Sequence, residues 1–147
     1  MPGGRPTDYC EAIADKICEA IVDGKSLRSI CKADDMPSVT SVMRWLSKWP
    51  EFREQYARAR ELQADTLFDE MIDIADDGTN DWMERKSAEG ENLGWQFNGE
   101  AARRSQIRID ARKWMAGKMQ PKKYGDKIIA DVTGKLTVSL LPTDDDL

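Results

Sequence analysis

The sequence predicts a mostly α-helical chain of three parts: an N-terminal helix-turn-helix domain, a central long-helix oligomerisation domain, and a short C-terminal β segment that forms a barrel between subunits. Two short amphipathic helical patterns follow one another within residues 26–48, and a further helical pattern runs from Pro50 to about Asp77. After residue 127, hydrophobic residues alternate with polar ones, as in a strand. The predicted domains are 1–49, 50–124 with a loop at 78–99, and 125–147.

The helix-turn-helix pattern reads SLRSICKADDMPSVTSVMRWLSK. Leu27, Ile30 and Cys31 recur at the spacing that places them on one face of a helix. Pro37 and Ser38 should open the second helix, because proline fixes φ and a serine hydroxyl caps free backbone N–H groups. Two apolar faces so close in sequence can share one core. The predicted apolar face of the second helix is Val39, Val42, Met43 and Leu46.

Another amphipathic helix is predicted ahead of this motif, from Tyr9 to Asp23, and Gly24 should end it in a left-handed conformation. Three short helices in succession are the common arrangement of a DNA-binding domain, although a three-helix domain without any ligand has the same pattern. The cysteines have no metal-binding spacing and are expected to be reduced core thiols. The residues of this helix predicted to face the core are Cys10, Ile13, Ile17, Cys18 and Ile21.

The second helix of the motif carries short hydroxyl side chains in its first turn and cations further along one outward side. A helix that enters the major groove needs both, because base edges and phosphates are then within reach. An extended segment ahead of the first helix adds an arginine that can reach a groove or a phosphate. The candidate DNA-binding residues are Arg5, Arg28, Lys32, Ser38, Thr40, Ser41, Arg44 and Lys48.

Four segments of the chain are similar to one known family. They are GRPTDY ending at Tyr9, MPSVTSVMRWLSKWPEF from Met36, DEMIDIADD from Asp69, and IDARKWMAGKMQPKKYGDK from Ile109. On these segments the chain resembles, over nearly its whole length, the small terminase subunits of tailed bacteriophages, in particular those of short-tailed phages that infect enteric bacteria. The last segment is the most specific, because a basic helix that ends in PKKYGD is not a generic pattern.

The resemblance implies a function. A small terminase subunit recognises the packaging site on double-stranded viral DNA, assembles as a homo-oligomeric ring and controls a separate large subunit that has the ATPase and nuclease activities. No apolar run approaches the length of a membrane span and no signal-peptide pattern opens the chain, so we expect no membrane partner, no cofactor, and a location in the host cytoplasm and outside the mature virion. One departure is residues 78–99, which form a longer connection than expected. The alternative function is a dimeric helix-turn-helix transcription regulator, which presents two heads one helical turn apart.

The residue content argues against catalysis by this chain. The 147-residue sequence has no histidine, so it can form neither a Ser/His/Asp triad nor an imidazole metal site. Neither a Walker-type GxxxxGK[S/T] loop nor a GxGxxG loop is present. Acidic residues recur at i+4 from Glu61 to Asp73, but such a row spreads over several helical turns instead of converging on one metal ion. We therefore expect a non-enzymatic protein without a metal site.

Charge is strongly segregated along the chain, although the net charge is only −5. Residues 1–60 have ten basic and nine acidic residues, residues 61–100 have two and twelve, and residues 101–135 have ten and three. The acidic helix and the basic helix can pair within a subunit or between subunits, or the arginines from Arg103 to Arg112 can contact DNA instead. A nearly neutral DNA-binding domain should bind duplex DNA weakly, so several such domains in one assembly are expected to act together.

The long central helix has two apolar faces, which implies one packing partner in the same chain and another in a neighbouring subunit; a single broad core face is the alternative. The next helix is predicted from Glu100 to Met119. The C-terminal strands cannot be stable alone, so they should pair with strands of other copies. The candidate oligomerisation residues are Leu67, Phe68, Met71, Ile72, Ile107, Trp114, Ile128, Leu136, Val138 and Leu140.

Overall fold

The computed structural model describes residues 4–127, which form six helices and one β-hairpin. This part of the chain is mostly helical, as predicted. None of its helices is both long enough and apolar enough to cross a membrane. In chain order the elements are α1 (Glu11–Val22), α2 (Leu27–Ile30), α3 (Val39–Lys48), α4 (Pro50–Asp76), β1 (Trp82–Lys86), β2 (Asn92–Phe97), α5 (Gly99–Met119) and α6 (Pro121–Tyr124).

Helices α1, α2 and α3 pack around one core together with the first half of α4, and we call this unit the head. Ser38 caps α3, and Gly24 has a φ of +91° just after α1, so both predicted helix ends are confirmed. Phe52 is fully buried, which shows that α4 completes the core of the three shorter helices. The buried apolar residues of the head are Ala14, Ile17, Cys18, Ile21, Leu27, Ile30, Cys31, Val42, Trp45, Phe52 and Ala59.

The apolar face of α3 differs from the predicted one. Trp45 is buried, whereas Val39 and Met43 are exposed. The indole ring explains the difference, because it offers more apolar surface than either side chain and packs edge-on against Tyr9, with 5.5 Å between the ring centroids. The prediction that Cys10 faces the core is also wrong: it is exposed, since its extended backbone just before α1 takes it off the helical periodicity.

Helix α4 connects the head to the rest of the chain, and its 27 residues span about 40 Å at 1.5 Å per residue. The Gln63 side-chain amide donates to the carbonyl of Lys25 at 3.1 Å, and the Thr66 hydroxyl donates to the carbonyl of Val22 at 2.7 Å. These two bonds fix the end of α1 on α4. Beyond the head, α4 packs against α5. The buried apolar residues of this part are Ala64, Leu67 and Ala116.

The prediction of a loop at 78–99 is wrong, because this stretch contains an antiparallel β-hairpin. Trp82 pairs with Phe97, and their rings meet edge to face with 6.0 Å between the centroids. Gly90 follows the turn with a φ of +86°, which glycine adopts without a Cβ clash. The strands read WMERK and NLGWQF, which lack a clean alternation of apolar and polar residues. The C-terminal strands and their barrel lie outside the described residues, and the domain boundaries stay predictions.

Candidate nucleic-acid interface

Helix α3 turns one face to the outside of the head. Thr40 and Arg44 are exposed on this face, and Lys48 is exposed at its end. Val42 and Trp45, on the other side of the helix, are buried. Since α3 contains no acidic residue, its outer face combines positive charge with hydroxyl groups. That combination can contact phosphates and base edges together, as a helix in the major groove does.

Two further residues of the outer face were not among the predicted contacts. Met43 is 51% exposed, and the exposed Ser47 donates its hydroxyl to the Met43 carbonyl at 3.2 Å. A methionine on this face offers an apolar contact to the methyl group of thymine. Met43 and Ser47 each lie two residues from Trp45 and therefore on the opposite side of the helix. Assigning Trp45 to the core would have predicted both as exposed from the sequence.

The extended segment before α1, which we call the arm, is tied to the helix-turn-helix. The guanidinium of Arg5 donates to the carbonyl of Cys31 at 2.9 Å. The indole N–H of Trp45 donates to the carbonyl of Thr7 at 3.4 Å. The arm therefore holds the cation of Arg5 against the helix-turn-helix. One terminal nitrogen of Arg5 is already hydrogen-bonded to Cys31 and holds the arm in place.

A groove of about 330 Å³ runs between the arm and the C-terminal half of α3. Arg44 and Lys48 line it, together with the arm residue Tyr9. The Tyr9 ring stacks on Trp49 with 4.6 Å between the centroids. Burial raises the pKa of the Tyr9 phenol, and neighbouring carboxylates raise it further, so the phenol is neutral at physiological pH. Cations and a stacked aromatic pair thus share one surface groove.

Ser38 and Ser41 hold the start of α3 together. The Ser38 hydroxyl accepts a hydrogen bond from the backbone N–H of Ser41 at 3.2 Å, and the two hydroxyl oxygens are 3.0 Å apart. Ser41 is only 6% exposed. The prediction that it faces a ligand is therefore wrong, because its position on the helix lies on the side of Trp45. Thr40 is the exposed hydroxyl of this turn.

The other predicted cations lie next to α3 in the chain. Arg28 is exposed on α2, and Lys32 is exposed in the turn that follows. Asp34 and Asp35 are exposed in the same turn and reduce its positive potential. The cations of α2 and α3 have no acidic neighbour within their own helices, whereas Asp8 offsets Arg5 in the arm and α1 carries the exposed acidic residues Glu11, Asp15 and Glu19.

An arginine that sequence reasoning missed fixes the direction of α3. The Nε of Arg53, on α4, donates to the carbonyl of Leu46 at 2.8 Å, and one of its terminal nitrogens donates to the carbonyl of Ser47 at 2.9 Å. These carbonyls belong to the last turn of α3, where no intrahelical partner is available. Arg53 therefore stabilises the end of α3 and orients it on α4.

The predicted oligomerisation residues fall into four groups. Leu67 is buried within the chain, which leaves it no surface for another subunit and corrects that prediction. Met71 is half-buried, and Phe68 stacks on Tyr124 of the same chain with 5.0 Å between the centroids. The more strongly exposed residues are Ile72 (52%), Ile107 (59%) and Trp114 (66%), while Phe68 is 41% exposed beside Tyr124. Those outside the described residues are Ile128, Leu136, Val138 and Leu140.

The acidic helix α4 pairs with basic residues of the same chain at two points. The Nε of Arg112, on α5, lies 2.6 Å from a carboxylate oxygen of Glu70. The ammonium of Lys123, on α6, lies 2.7 Å from Asp65, and hydrogen bonds from Lys123 and Tyr124 hold the pKa of Asp65 below its usual value. Within the described residues, the arginines of α5 without an ion pair to α4 are Arg103, Arg104 and Arg108.

The acidic residues form no metal site in this part of the chain. No three acidic or cysteine side chains of the described residues are placed to hold a metal ion.

Residues 9–131 match the sequence profile of a family described as Bacteriophage Sf6, terminase small subunit-like. The chain belongs to this family. Two crystal structures of the terminase small subunit gp1 of the bacterial virus Sf6, one with an aspartate-to-arginine and one with a lysine-to-glutamate substitution, are 34% identical to this chain. Both have a TM-score of 0.66, and the match covers 95% of this chain and 97% of the other.

A third structure of the Sf6 protein, with an arginine-to-alanine substitution, is 33% identical, with the same TM-score and the same coverage of both chains. No match was found among curated protein sequences. The predicted resemblance to the small terminase subunits is therefore confirmed, and the mostly helical fold agrees with that of the Sf6 protein over nearly the full length of both chains.

Proposed function

We propose that this terminase small subunit recognises the packaging site on double-stranded viral DNA and regulates a large subunit that has the ATPase and nuclease activities. The observation that carries the proposal is the outer face of α3, which exposes Thr40, Met43, Arg44 and Lys48 and has no carboxylate. Membership of the terminase family supports the link to a larger catalytic partner. The chain then supplies recognition rather than catalysis, in the host cytoplasm, before the DNA enters the virion.

Each side chain of this face suits one kind of contact. Arg44 and Lys48 suit phosphate oxygens, which fix the register of the head on the duplex but carry no sequence information. Thr40 and Met43 lie nearer the start of α3 and suit base edges, where a hydroxyl donates or accepts and a thioether packs on thymine. Arg5 adds a contact to a phosphate or to the minor groove from the arm.

A single head offers few phosphate contacts, and the affinity for DNA depends steeply on their number. Several heads joined in a homo-oligomeric ring compensate, because binding of the first head raises the effective concentration of the others. The near-neutral charge of the head therefore favours a protein that binds DNA as an assembly. It also favours dissociation of any head that is not on its site.

The test replaces both Arg44 and Lys48 by alanine and titrates the intact assembly with packaging-site and random duplexes over a range of salt concentrations. Loss of two phosphate contacts per engaged head should reduce the slope of log affinity against log salt by about 1.8 per head. The matched control replaces Lys16 and Lys25, two exposed cations outside α3, and should keep the wild-type slope. Wild-type affinity and slope in the Arg44/Lys48 variant would refute the proposed interface.

A further inference from the structure

The β-hairpin has two open faces. Every residue of β1 and β2 is exposed, so the described residues leave both sides of this two-stranded sheet accessible. A two-stranded hairpin is only marginally stable in water unless something packs against it. An apolar hairpin that stays exposed in the free chain therefore indicates a surface that a partner covers.

The strand register gathers aromatic side chains on one face of the hairpin. Trp82 lies opposite Phe97, and Glu84 lies opposite Trp95. Because directly paired residues, and residues two apart in a strand, point to the same side of a sheet, the three aromatic rings share one side. Each of these aromatic residues is more than half exposed. We define the aromatic face as Trp82, Trp95 and Phe97.

Hydrogen bonds fix the base of the hairpin to the two long helices. The backbone N–H of Asn98 donates to the carbonyl of Asp81 at 2.7 Å. The Asn98 side chain accepts a hydrogen bond from the backbone N–H of Ala101 at 3.2 Å and so caps α5. After α4, the backbone N–H of Thr79 donates to the carboxylate of Asp77 at 3.0 Å. The aromatic face is thus held in place before a partner binds, which reduces the entropic cost of binding.

The charge around the aromatic face is mostly negative. Residues 77–98 contain five acidic and two basic residues, and one of the two cations, Lys86, lies 3.8 Å from the carboxylate of Glu84. The next cations along the chain are Arg103 and Arg104, and the second is paired with a carboxylate of its own helix at 3.0 Å. A negative surface repels phosphates, and two copies of it repel each other. The surface that suits the aromatic face is an apolar pocket rimmed by lysine and arginine.

The aromatic face is far from the DNA-binding surface. Ala59 is the last residue of α4 in the core of the head, and about 25 Å of helix separates it from Asp76 at the end of α4. The hairpin follows that end. A protein that binds the hairpin therefore leaves α3 accessible, so one subunit can engage DNA and this protein at the same time.

We propose that the aromatic face is the docking surface for the large terminase subunit, which meets it with an apolar pocket rimmed by cations. The proposal deepens the regulatory part of the proposed function and rests on it. A protein that acts on DNA while the small subunit holds that DNA needs a site away from α3, and the hairpin provides one. Tryptophan side chains often contribute most of the binding energy of an interface, and Trp95 is the most exposed of the three.

The test compares two tryptophans of equal exposure. Trp95 is 67% exposed and Trp114, on α5, is 66% exposed, so alanine at either position removes a similar surface side chain. The assembled protein is titrated with the purified large subunit of the same virus by calorimetry. Trp95→Ala should raise the dissociation constant about 30-fold, as expected for the loss of one anchor residue, whereas Trp114→Ala should change it less than about 3-fold.

A second pair of variants tests the charge of the partner. Glu89→Lys with Glu91→Lys reverses two exposed carboxylates of the hairpin and should raise the dissociation constant about 10-fold at low salt, with a smaller difference at high salt. Glu11→Lys with Glu19→Lys makes the same change in net charge on α1 and should keep the wild-type affinity for the large subunit. Equal losses in both double variants would overturn the proposal, because net charge and not the hairpin would then be responsible.

Three further measurements assign the face to one partner. Hydrogen exchange of residues 82–97 checks that Trp95→Ala keeps a folded hairpin, and it should show added protection when the large subunit binds the wild type. Native mass spectrometry and a DNA titration of Trp95→Ala should both give wild-type results. Loss of assembly or of DNA affinity in this variant, with wild-type affinity for the large subunit, would assign the face to another copy or to DNA and overturn the proposal.

The titrations separate this inference from the proposed function. If the wild type binds the large subunit and Trp95→Ala binds it equally well, only the docking surface is wrong. If the wild type does not bind the large subunit at all, the proposed regulation fails and the docking surface fails with it. DNA recognition through α3 is tested independently, because none of the substituted residues lies on α3 or the arm.

Discussion

Substitution of Phe52 by alanine should destabilise the head more than any change on the outer face of α3. Phe52 has no exposed surface, and its ring centroid lies 6.4 Å from that of Trp45, 6.0 Å from that of Tyr9 and 6.1 Å from that of Tyr56. It is therefore the side chain through which α4 meets both α3 and the arm. Replacing a buried phenylalanine by alanine lowers the free energy of unfolding by about 3–5 kcal/mol. The loss combines the transfer free energy of the phenyl ring with the cost of the cavity that remains.

That loss is large compared with the whole stability of a small domain, which is about 5–15 kcal/mol. For a chain of this size, about 1 kcal/mol corresponds to 2–4 °C, so the thermal midpoint should fall by roughly 6–20 °C. Urea unfolding followed by circular dichroism at several protein concentrations measures the loss and separates it from any change in assembly.

The matched control is Met43→Ala, which removes a side chain of similar size from the outer face of α3. Because Met43 is half-exposed and α3 keeps its helix propensity, the free energy of unfolding should change by less than about 0.5 kcal/mol. The DNA affinity of this variant is expected to change instead. A loss below about 1 kcal/mol for Phe52→Ala, or an equal loss for both variants, would refute the packing described for the head.

Two further substitutions test the bonds that α4 makes with the rest of the chain. Gln63→Ala should lower the free energy of unfolding by about 1–3 kcal/mol, because the carbonyl of Lys25 and one terminal nitrogen of Arg60 lose their partner, whereas the exposed Gln106→Ala should change it by almost nothing; thermal unfolding measures both. Asp65 has a lowered pKa, so its stabilisation is complete above the ordinary value of 3.8 and is lost as the pH falls through the lowered one. Asp65→Asn should therefore reduce the urea midpoint more at pH 7 than at pH 2, and equal effects at both pH values would contradict this.

Local chemistry allowed the sequence to predict most helix ends. Pro50 at the first turn of α4, the Ser38 cap of α3 and Gly24 after α1 each act on the backbone within a few residues. The orientation of α3 could not be predicted in the same way, because it depends on Trp45 meeting Tyr9 from far upstream. Contacts distant in sequence leave no periodic trace.

The sequence predicted the candidate site only in part, because the exposure of some of its residues depends on contacts distant in sequence. The cations Arg44 and Lys48 were identified correctly as exposed, since charged side chains avoid a core whatever the details of packing. Ser41 was misplaced because a small hydroxyl fits a core or a surface equally well. The hairpin at 78–99 was missed because its strands are held by cross-strand pairs such as Trp82 with Phe97, which a count of alternating residues does not detect.

The first turn of α3 gives the last prediction, in which neighbouring hydroxyls have different roles. The Ser38 hydroxyl accepts a hydrogen bond from the backbone N–H of Ser41 and caps the helix. Ser38→Ala should therefore lower the free energy of unfolding by about 1 kcal/mol. Thr40 is exposed, so Thr40→Ala should leave stability within about 0.5 kcal/mol of the wild type. Thr40→Ala should instead lower the ratio of affinities for packaging-site and random duplex, because its hydroxyl is free to contact a base edge.

Thermal unfolding and paired DNA titrations on the same two variants decide between these roles. Ser38→Ala is expected to shift the melting temperature while keeping the affinity ratio at temperatures where the head is folded. The opposite pattern, in which Ser38→Ala changes site preference and Thr40→Ala changes only stability, would mean that α3 meets DNA through its N-terminal end rather than through its outer face. Arg44 and Lys48 lie about one and two helical turns after Thr40. In that orientation of α3 they would be too far from the base pairs contacted by Ser38 to bind the adjacent phosphates.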